Sequence, residues 1–292
     1  MNVAVGTRAK SAKIEVVPLT AHIGAQVRGI DLRQKLDEET VKAIYQAWLD
    51  HLVLVFADQE LTQEDLIRAT DIFGELGKLS RPPKYFPKGY SSLLPGIMMI
   101  SNIRENGEPI GALPDGEMMF HHDMIHVEVP SKATLLYAVE IPSNGGNTLF
   151  ASGYAAYDTL DPAVRDRLEG KRALHHYNYG TTVRGGKMGT EAFAECVHPV
   201  FRTHEDTGRK AVYVNRLMTV NVLDMAPDES DRLLNAVFDH AEKPEFVYEH
   251  VWRVGDLLLW DNRCSSHART DFPSTERRLL LRTTVQGTVR PY

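Results

Sequence analysis

The sequence predicts a mainly β fold, a double-sheet jelly roll with helices laid over it. Short apolar runs bounded by Gly, Pro, Asn and Asp recur along the chain, while only a few segments carry the 3.6-residue period of a helix. No succession of alternating strands and helices supports a parallel α/β sheet. We read residues 1–292 as one domain, since all-β sandwiches and barrels reach this size as single units. A chain this long buries a large core without staples.

Ile14–Leu19 and Gln26–Leu32 read as short strands. A helix is predicted over Glu38–His51, where Val41, Ile44, Tyr45 and Trp48 share one face. The continuous apolar run Leu52–Phe56 predicts a fully buried strand. Thr62 with Asp65 resembles a capping box opening a helix that runs to about Phe73, with Leu66, Ala69 and Ile72 inward. From residue 77 to 96 and again from 105 to 116 the periodicity dissolves into Pro, Gly and polar residues. Loops of this kind commonly cover active sites.

Ile97–Ser101, Ala133–Val139 and Thr148–Ala151 read as strands, the last two on either side of the turn Pro142-Ser143-Asn144-Gly145-Gly146. Short helices are expected over Ala155–Leu160 and Pro162–Leu168, and His175, His176, Tyr177 and Tyr179 mark an aromatic strand. The turn-like Asp206-Thr207-Gly208 predicts a hairpin pairing Val197–Phe201 with Ala211–Asn215. Leu233, Leu234, Val237 and Phe238 define a helix over Ser230–Ala241. Phe246–Trp252, Leu257–Trp260 and Leu279–Thr284 supply the final strands.

A formal net charge of −6 argues against nucleic acid or an anionic membrane as the main partner. Only Cys196 and Cys264 are present, which excludes a disulfide framework and predicts a reducing, cytoplasmic setting. Residues 1–13 carry Arg8, Lys10 and Lys13 but no apolar run of signal-peptide length. No stretch approaches the roughly 18 apolar residues of a membrane span.

Chemistry concentrates in Phe120-His121-His122-Asp123-Met124-Ile125-His126. If the segment is extended, His121 and Asp123 project to one side and His122 to the other. An imidazole nitrogen and a carboxylate oxygen aimed into one space are two parts of a 2-His-1-carboxylate facial triad, the donor set of non-haem Fe(II) oxygenases. A distant histidine must complete it. Trp260-Asp261-Asn262-Arg263-Cys264-Ser265-Ser266-His267 ends an apolar strand and delivers His267. Cys264 reads as a small buried thiol, because a soft thiolate is out of place among hard ligands. Arg278 and Arg282 then flank Leu279-Leu280-Leu281 on one strand face. Buried arginines are costly unless paired, so two facing one way ask for a carboxylate, either a ligand's or a protein side chain's.

These motifs, with Glu140-Ile141-Pro142-Ser143-Asn144-Gly145-Gly146-Asn147-Thr148-Leu149-Phe150, Gly29-Ile30-Asp31-Leu32, Phe73-Gly74-Glu75-Leu76 and His198-Pro199-Val200, resemble the taurine dioxygenase and 2,4-dichlorophenoxyacetate dioxygenase family over nearly the whole chain. The resemblance implies a double-stranded β-helix and an oxidoreductase that uses Fe(II), O2 and 2-oxoglutarate as cosubstrate, releasing succinate and CO2. It implies His121, Asp123 and His267 as iron ligands and Thr148 with Arg278 as holders of the distal carboxylate of 2-oxoglutarate. It gives Arg282 either the proximal carboxylate or an anionic group on the substrate, and by analogy it implies a homo-oligomer.

Halogenating relatives lack the carboxylate that Asp123 supplies, which favours hydroxylation here, with cleavage where the hydroxylated carbon bears oxygen, nitrogen or sulfur. Two departures stand out. Phe120 replaces the family tryptophan, and Gly77-Lys78-Leu79-Ser80-Arg81-Pro82 lacks the histidine that binds sulfonate in taurine dioxygenase, which disfavours taurine itself. Arg81, Lys84 or Arg282 could meet an acidic small-molecule substrate. His122 and His126 are read as pocket or supporting residues rather than ligands. Two other classes compete: a cupin-like zinc hydrolase or isomerase, which has no need of Thr148, Arg278 and Arg282, and a β-sandwich binding module without catalysis.

Overall fold

The apolar runs form the centre of a seven-stranded sheet. In the computed structural model, which describes residues 14–78, 93–113, 116–177, 181–183 and 194–292, its order is Glu15–Pro18, Ala25–Arg28, Val53–Phe56, Leu257–Asp261, Ala133–Glu140, Leu279–Val285 and Met98–Ser101. All pairs are antiparallel except Ala25–Arg28 with Val53–Phe56. Val53–Phe56 and Leu257–Asp261 are buried throughout because both faces of the sheet are covered. On one face Leu54, Phe56, Leu257 and Leu259 pack against Ile44, Trp48, Leu66 and Ala69 of the two N-terminal helices. Side chains alternate along a strand, so Val53, Val55, Leu258 and Trp260 point the other way, toward Phe150 and Tyr154.

Those helices lie where the sequence puts them. Glu38–His51 is capped by Asp37, and Gln63–Asp71 opens on the Thr62/Asp65 capping box. A second sheet, in the order Val247–His250, Thr148–Ser152, Ser265–Arg269 and Met118–His121, faces the first. A third, of Ala194–Pro199, Arg172–Tyr177 and Thr219–Val222, carries the helix Pro227–Ala241, whose Leu233, Leu234, Val237 and Phe238 are all buried. The result is a mainly β sandwich with a few covering helices.

Several expectations change. Gln26–Leu32 shortens to Ala25–Arg28, because Gly29 takes a positive φ and Asp31 closes a turn by accepting from the Arg33 N–H. Ala133–Glu140 and Thr148–Ser152 join different sheets, so the turn between them is a crossover. The hairpin predicted for Val197–Phe201 with Ala211–Asn215 divides. Ala194–Pro199 pairs with Arg172–Tyr177, Pro199 has no N–H with which to extend that ladder, and Phe201–Thr203 resumes with Lys210–Val212. The polar stretch 105–116 begins with a small hairpin, Arg104–Glu105 with Glu108–Pro109. Arg81, Lys84 and Tyr179, most of the 77–96 loop, and residues 1–13 lie outside the described residues. Among the described residues no helix is long and apolar enough to cross a membrane.

Candidate metal centre

The second sheet brings His121 and His267 opposite each other in register, with their ring centroids 4.1 Å apart. Asp123 faces the same space, as the alternation predicts, although the paired strand ends at His121 and the chain turns just after Asp123, where Met124 takes φ 60°. His121, Asp123 and His267 each offer a ligand atom, and the three atoms lie within 4.8 Å of one another. All three residues are buried. His122 points away as expected; its ring lies 4.8 Å from Tyr213, and its Nδ1 accepts from the Asn215 side chain at 3.2 Å. His126 is buried too, its ring 5.2 Å from that of Tyr177.

The protonation states suit a cation. His121 Nδ1 lies 2.9 Å from the Met119 carbonyl; a carbonyl can only accept, so Nδ1 carries the hydrogen and Nε2 keeps its lone pair. Burial above all drives His267 down to about 3, which leaves its imidazole neutral. His267 Nδ1 is buried with no hydrogen-bond partner among the described residues. Burial alone would raise the Asp123 carboxyl, but Arg282, His267, His121 and the Thr134 hydroxyl hold it well below the usual carboxylate range. Two neutral imidazoles and one carboxylate form a donor set that fits Fe(II).

A chain of hydrogen bonds fixes the carboxylate. Trp260 Nε1 donates to Asn262 Oδ1 at 2.9 Å, Asn262 Nδ2 to Thr134 Oγ1 at 2.9 Å, and Thr134 Oγ1 to Asp123 Oδ2 at 2.7 Å. Thr134 and Asn262 are fully buried, so this relay explains two residues of the Trp-Asp-Asn-Arg run. Sequence reasoning missed Thr134, which reaches Asp123 only through the fold.

Beside the centre lies a pocket lined by Thr148, Arg269, Arg278 and Arg282. Arg278 is 2% exposed, and its Nε has no partner among the described residues. Its Nη2 donates to the Gly146 carbonyl at 3.3 Å, and its backbone N–H donates to Asn102 Oδ1 at 2.9 Å. Gly146 is needed there, since a Cβ would come within 3.2 Å of Arg278 Nε and its φ is +68°. Thr148 Oγ1 accepts from Trp252 Nε1 at 3.0 Å, which leaves its own hydrogen to donate. Arg282 is partnered differently, with Nη1 3.4 Å from Asp123 Oδ1 and Nη2 3.0 Å from Met98 Sδ. Among the described residues the protein-carboxylate alternative therefore holds for Arg282 and not for Arg278. A buried arginine with an unused donor, beside a threonine hydroxyl that can donate, fits a ligand carboxylate.

A second grouping, His204, Asp261 and Cys264, also places its potential ligand atoms close together. Arg263 already fills it, donating through Nε and Nη2 to both Asp261 oxygens at 2.8 and 2.6 Å. His204 Nδ1 accepts the N–H groups of Asp206 and Thr207, so Nε2 carries the hydrogen and donates to Asp261 Oδ2 at 3.0 Å. No lone pair on that imidazole is left for a metal. Burial raises the Cys264 thiol, which keeps it protonated, as expected for a small buried residue.

A β sandwich holding two histidines and a carboxylate around one point, next to a cationic pocket, belongs to the class of metal-dependent enzymes that handle carboxylate compounds. A family model described as taurine catabolism dioxygenase TauD, TfdA family matches residues 15–284, and the chain belongs to that family. It is a 2-oxoglutarate-dependent non-haem iron dioxygenase, with Fe(II), 2-oxoglutarate and O2 as cofactors and cosubstrates. It is 33% identical to pentalenolactone F synthase of Streptomyces arenae, over 91% of this chain and 93% of that one. It is 30% identical to the (S)-phenoxypropionate/alpha-ketoglutarate-dioxygenase of Sphingobium herbicidovorans, over 95% and 96%. The crystal structure of AAD-2 with Mn(II) and N-oxalylglycine aligns with TM-score 0.80 and 29% identity, covering 96% of this chain and all of that one, 100%. The family excludes the zinc hydrolase or isomerase and the non-catalytic binding module.

Proposed function

We propose that the protein hydroxylates a small anionic organic substrate on a single jelly-roll domain, with cleavage where the hydroxylated carbon carries a heteroatom. His121, Asp123 and His267 would hold the iron, and Thr148 with Arg278 the distal carboxylate of 2-oxoglutarate. When bound, iron, 2-oxoglutarate and O2 supply an oxidant that takes hydrogen from a C–H bond and returns hydroxyl, with succinate and CO2 as coproducts.

The chain's residues prepare that chemistry. Two neutral imidazoles and an ionised carboxylate would hold the iron through three donors, so that small ligands could also bind it. The Trp260–Asn262–Thr134 relay fixes which carboxylate oxygen faces inward, and Phe150 and Trp260 flank the His267 ring, at 6.2 and 4.8 Å between centroids. The observation that carries the reading is the convergence of the three ligand atoms beside buried Arg278. The bound N-oxalylglycine of the AAD-2 structure supports it, since that molecule pairs a 2-oxo acid with a second carboxylate.

Arg282 supports an anionic substrate. It lines the same pocket as Arg278 and Thr148 and reaches Asp123, and the phenoxypropionate relative acts on a carboxylate. Cys196 and Cys264 are both free, consistent with a cytoplasmic protein. Incubating the protein with Fe(II), O2, 2-oxoglutarate and a panel of carboxylates, sulfonates and sulfate esters tests the proposal. Succinate should form in step with one hydroxylated product. Product formation without O2, or with zinc in place of iron, would refute it.

A further inference from the structure

Arg269 lies two residues beyond His267 on Ser265–Arg269, so its side chain leaves the same face of the strand. Its cross-strand partner is Thr148. Residues paired across an antiparallel ladder project to the same side, so Arg269 and Thr148 enter the pocket together. The Arg269 guanidinium lies 5.8 Å from the Phe272 ring centroid, and that of Arg278 approaches the same ring at 5.9 Å. Arg269 is buried, and Nη2 donates to the Gly116 carbonyl, just ahead of the Met118–His121 strand. Burial and then the charge of Arg269 lower Arg278 to about 9.

Arg278 thus carries a buried Nε with no partner among the described residues, beside a second guanidinium, and an anion bound next to both meets two cations at one point. The rest of the pocket points the same way, since Thr148, on the strand paired with Arg269, accepts from Trp252 and keeps its hydroxyl hydrogen to donate. We propose that Arg269 is a further binding residue for 2-oxoglutarate, completing a clamp of Thr148, Arg278 and Arg269 around its distal carboxylate. Through the Gly116 carbonyl the same side chain ties an occupied clamp to the strand that carries His121. This assignment rests on the cosubstrate reading given above.

Calorimetry on the Mn(II)-loaded protein, without turnover, separates the two. 2-Oxovalerate has the carbon chain of 2-oxoglutarate with a methyl group in place of the distal carboxylate. Wild type should bind 2-oxoglutarate far more tightly. Arg269→Met keeps much of the apolar stem and should weaken 2-oxoglutarate by about tenfold to a hundredfold while leaving 2-oxovalerate unchanged. Arg269→Lys, which keeps the charge, should recover part of the loss. An equal loss for both ligands in Arg269→Met would make Arg269 only a brace for Gly116, and no loss for either would remove it from the site; both outcomes overturn the assignment. Equal binding of the two acids by wild type would instead overturn the cosubstrate reading itself.

Discussion

Two buried groups of histidine and aspartate lie on either side of Leu257–Asp261 and the turn that follows it, and they differ in which lone pairs are already used. At His204, Asp261 and Cys264, backbone N–H groups occupy one imidazole nitrogen and Arg263 occupies both carboxylate oxygens. At His121, Asp123 and His267, a carbonyl takes the single N–H of His121, one carboxylate oxygen meets Thr134, and the other has only a long contact to Arg282. Proximity is common to both groups. Unused donor capacity distinguishes a place for an ion from a closed network that ties Phe201–Val212 to the main sheet.

The strongest way to break this contrast is to truncate the two aspartates. Asp261→Ala removes both carboxylate oxygens that Nε and Nη2 of Arg263 use, leaving that 1% exposed guanidinium only the Asp206 and Glu205 contacts of Nη1, and should cost about 3 kcal/mol or more, read as a large fall in unfolding midpoint. Asp123→Ala should cost far less stability, because 22% of the Arg282 side chain already meets solvent, yet it should abolish tight iron binding. Equal stability losses in the two variants would erase the distinction.

Next in size is Arg278→Ala. Removing one partner of a buried charge pair costs about 2–5 kcal/mol, so half-saturation by 2-oxoglutarate should rise on the order of 30-fold or more. An unchanged half-saturation would mean that the distal carboxylate binds elsewhere. Thr134→Val keeps shape but removes the hydroxyl between Asn262 and Asp123. Metal affinity should fall by about 10- to 100-fold, as for other partners that orient a ligand. Equilibrium titration with Mn(II) checks this, and wild-type affinity would make the relay only structural.

The most gradual effect is on pH. His126 and His198 are buried, and burial lowers both to about 4 from 6.5. The unfolded chain therefore takes up protons first as pH drops. The stability these neutral rings contribute is complete above about 6.5 and is lost progressively toward 4. Unfolding midpoints of the metal-free protein should decline over that window; a flat profile would mean that both rings fold in the charged form.

Local signals in the sequence were read correctly. The Thr62/Asp65 cap, the face of Glu38–His51 and the apolar runs of the main sheet depend on neighbours a few residues away. The pairing of the second sheet was not legible. Ser265–Arg269 is polar along its length because its side chains build the site rather than a core, so no apolar alternation marks it. Thr134 and Trp252 act through contacts distant in sequence and leave no local trace. Arg269 could have been found, since a charged residue two positions after a strand-borne histidine shares its face. The placement of Asp123 beside His121 was legible from strand alternation, whereas the turn after it, with its non-glycine positive φ at Met124, was not.

The central claim is that one of the two buried groups takes an ion and the other does not. Anaerobic Fe(II) binding, measured as iron per chain, tests it most directly in wild type, His267→Ala and Cys264→Ala. We expect one iron per chain in wild type and in Cys264→Ala, and none in His267→Ala. Iron retained without His267 but lost without Cys264 would contradict the assignment.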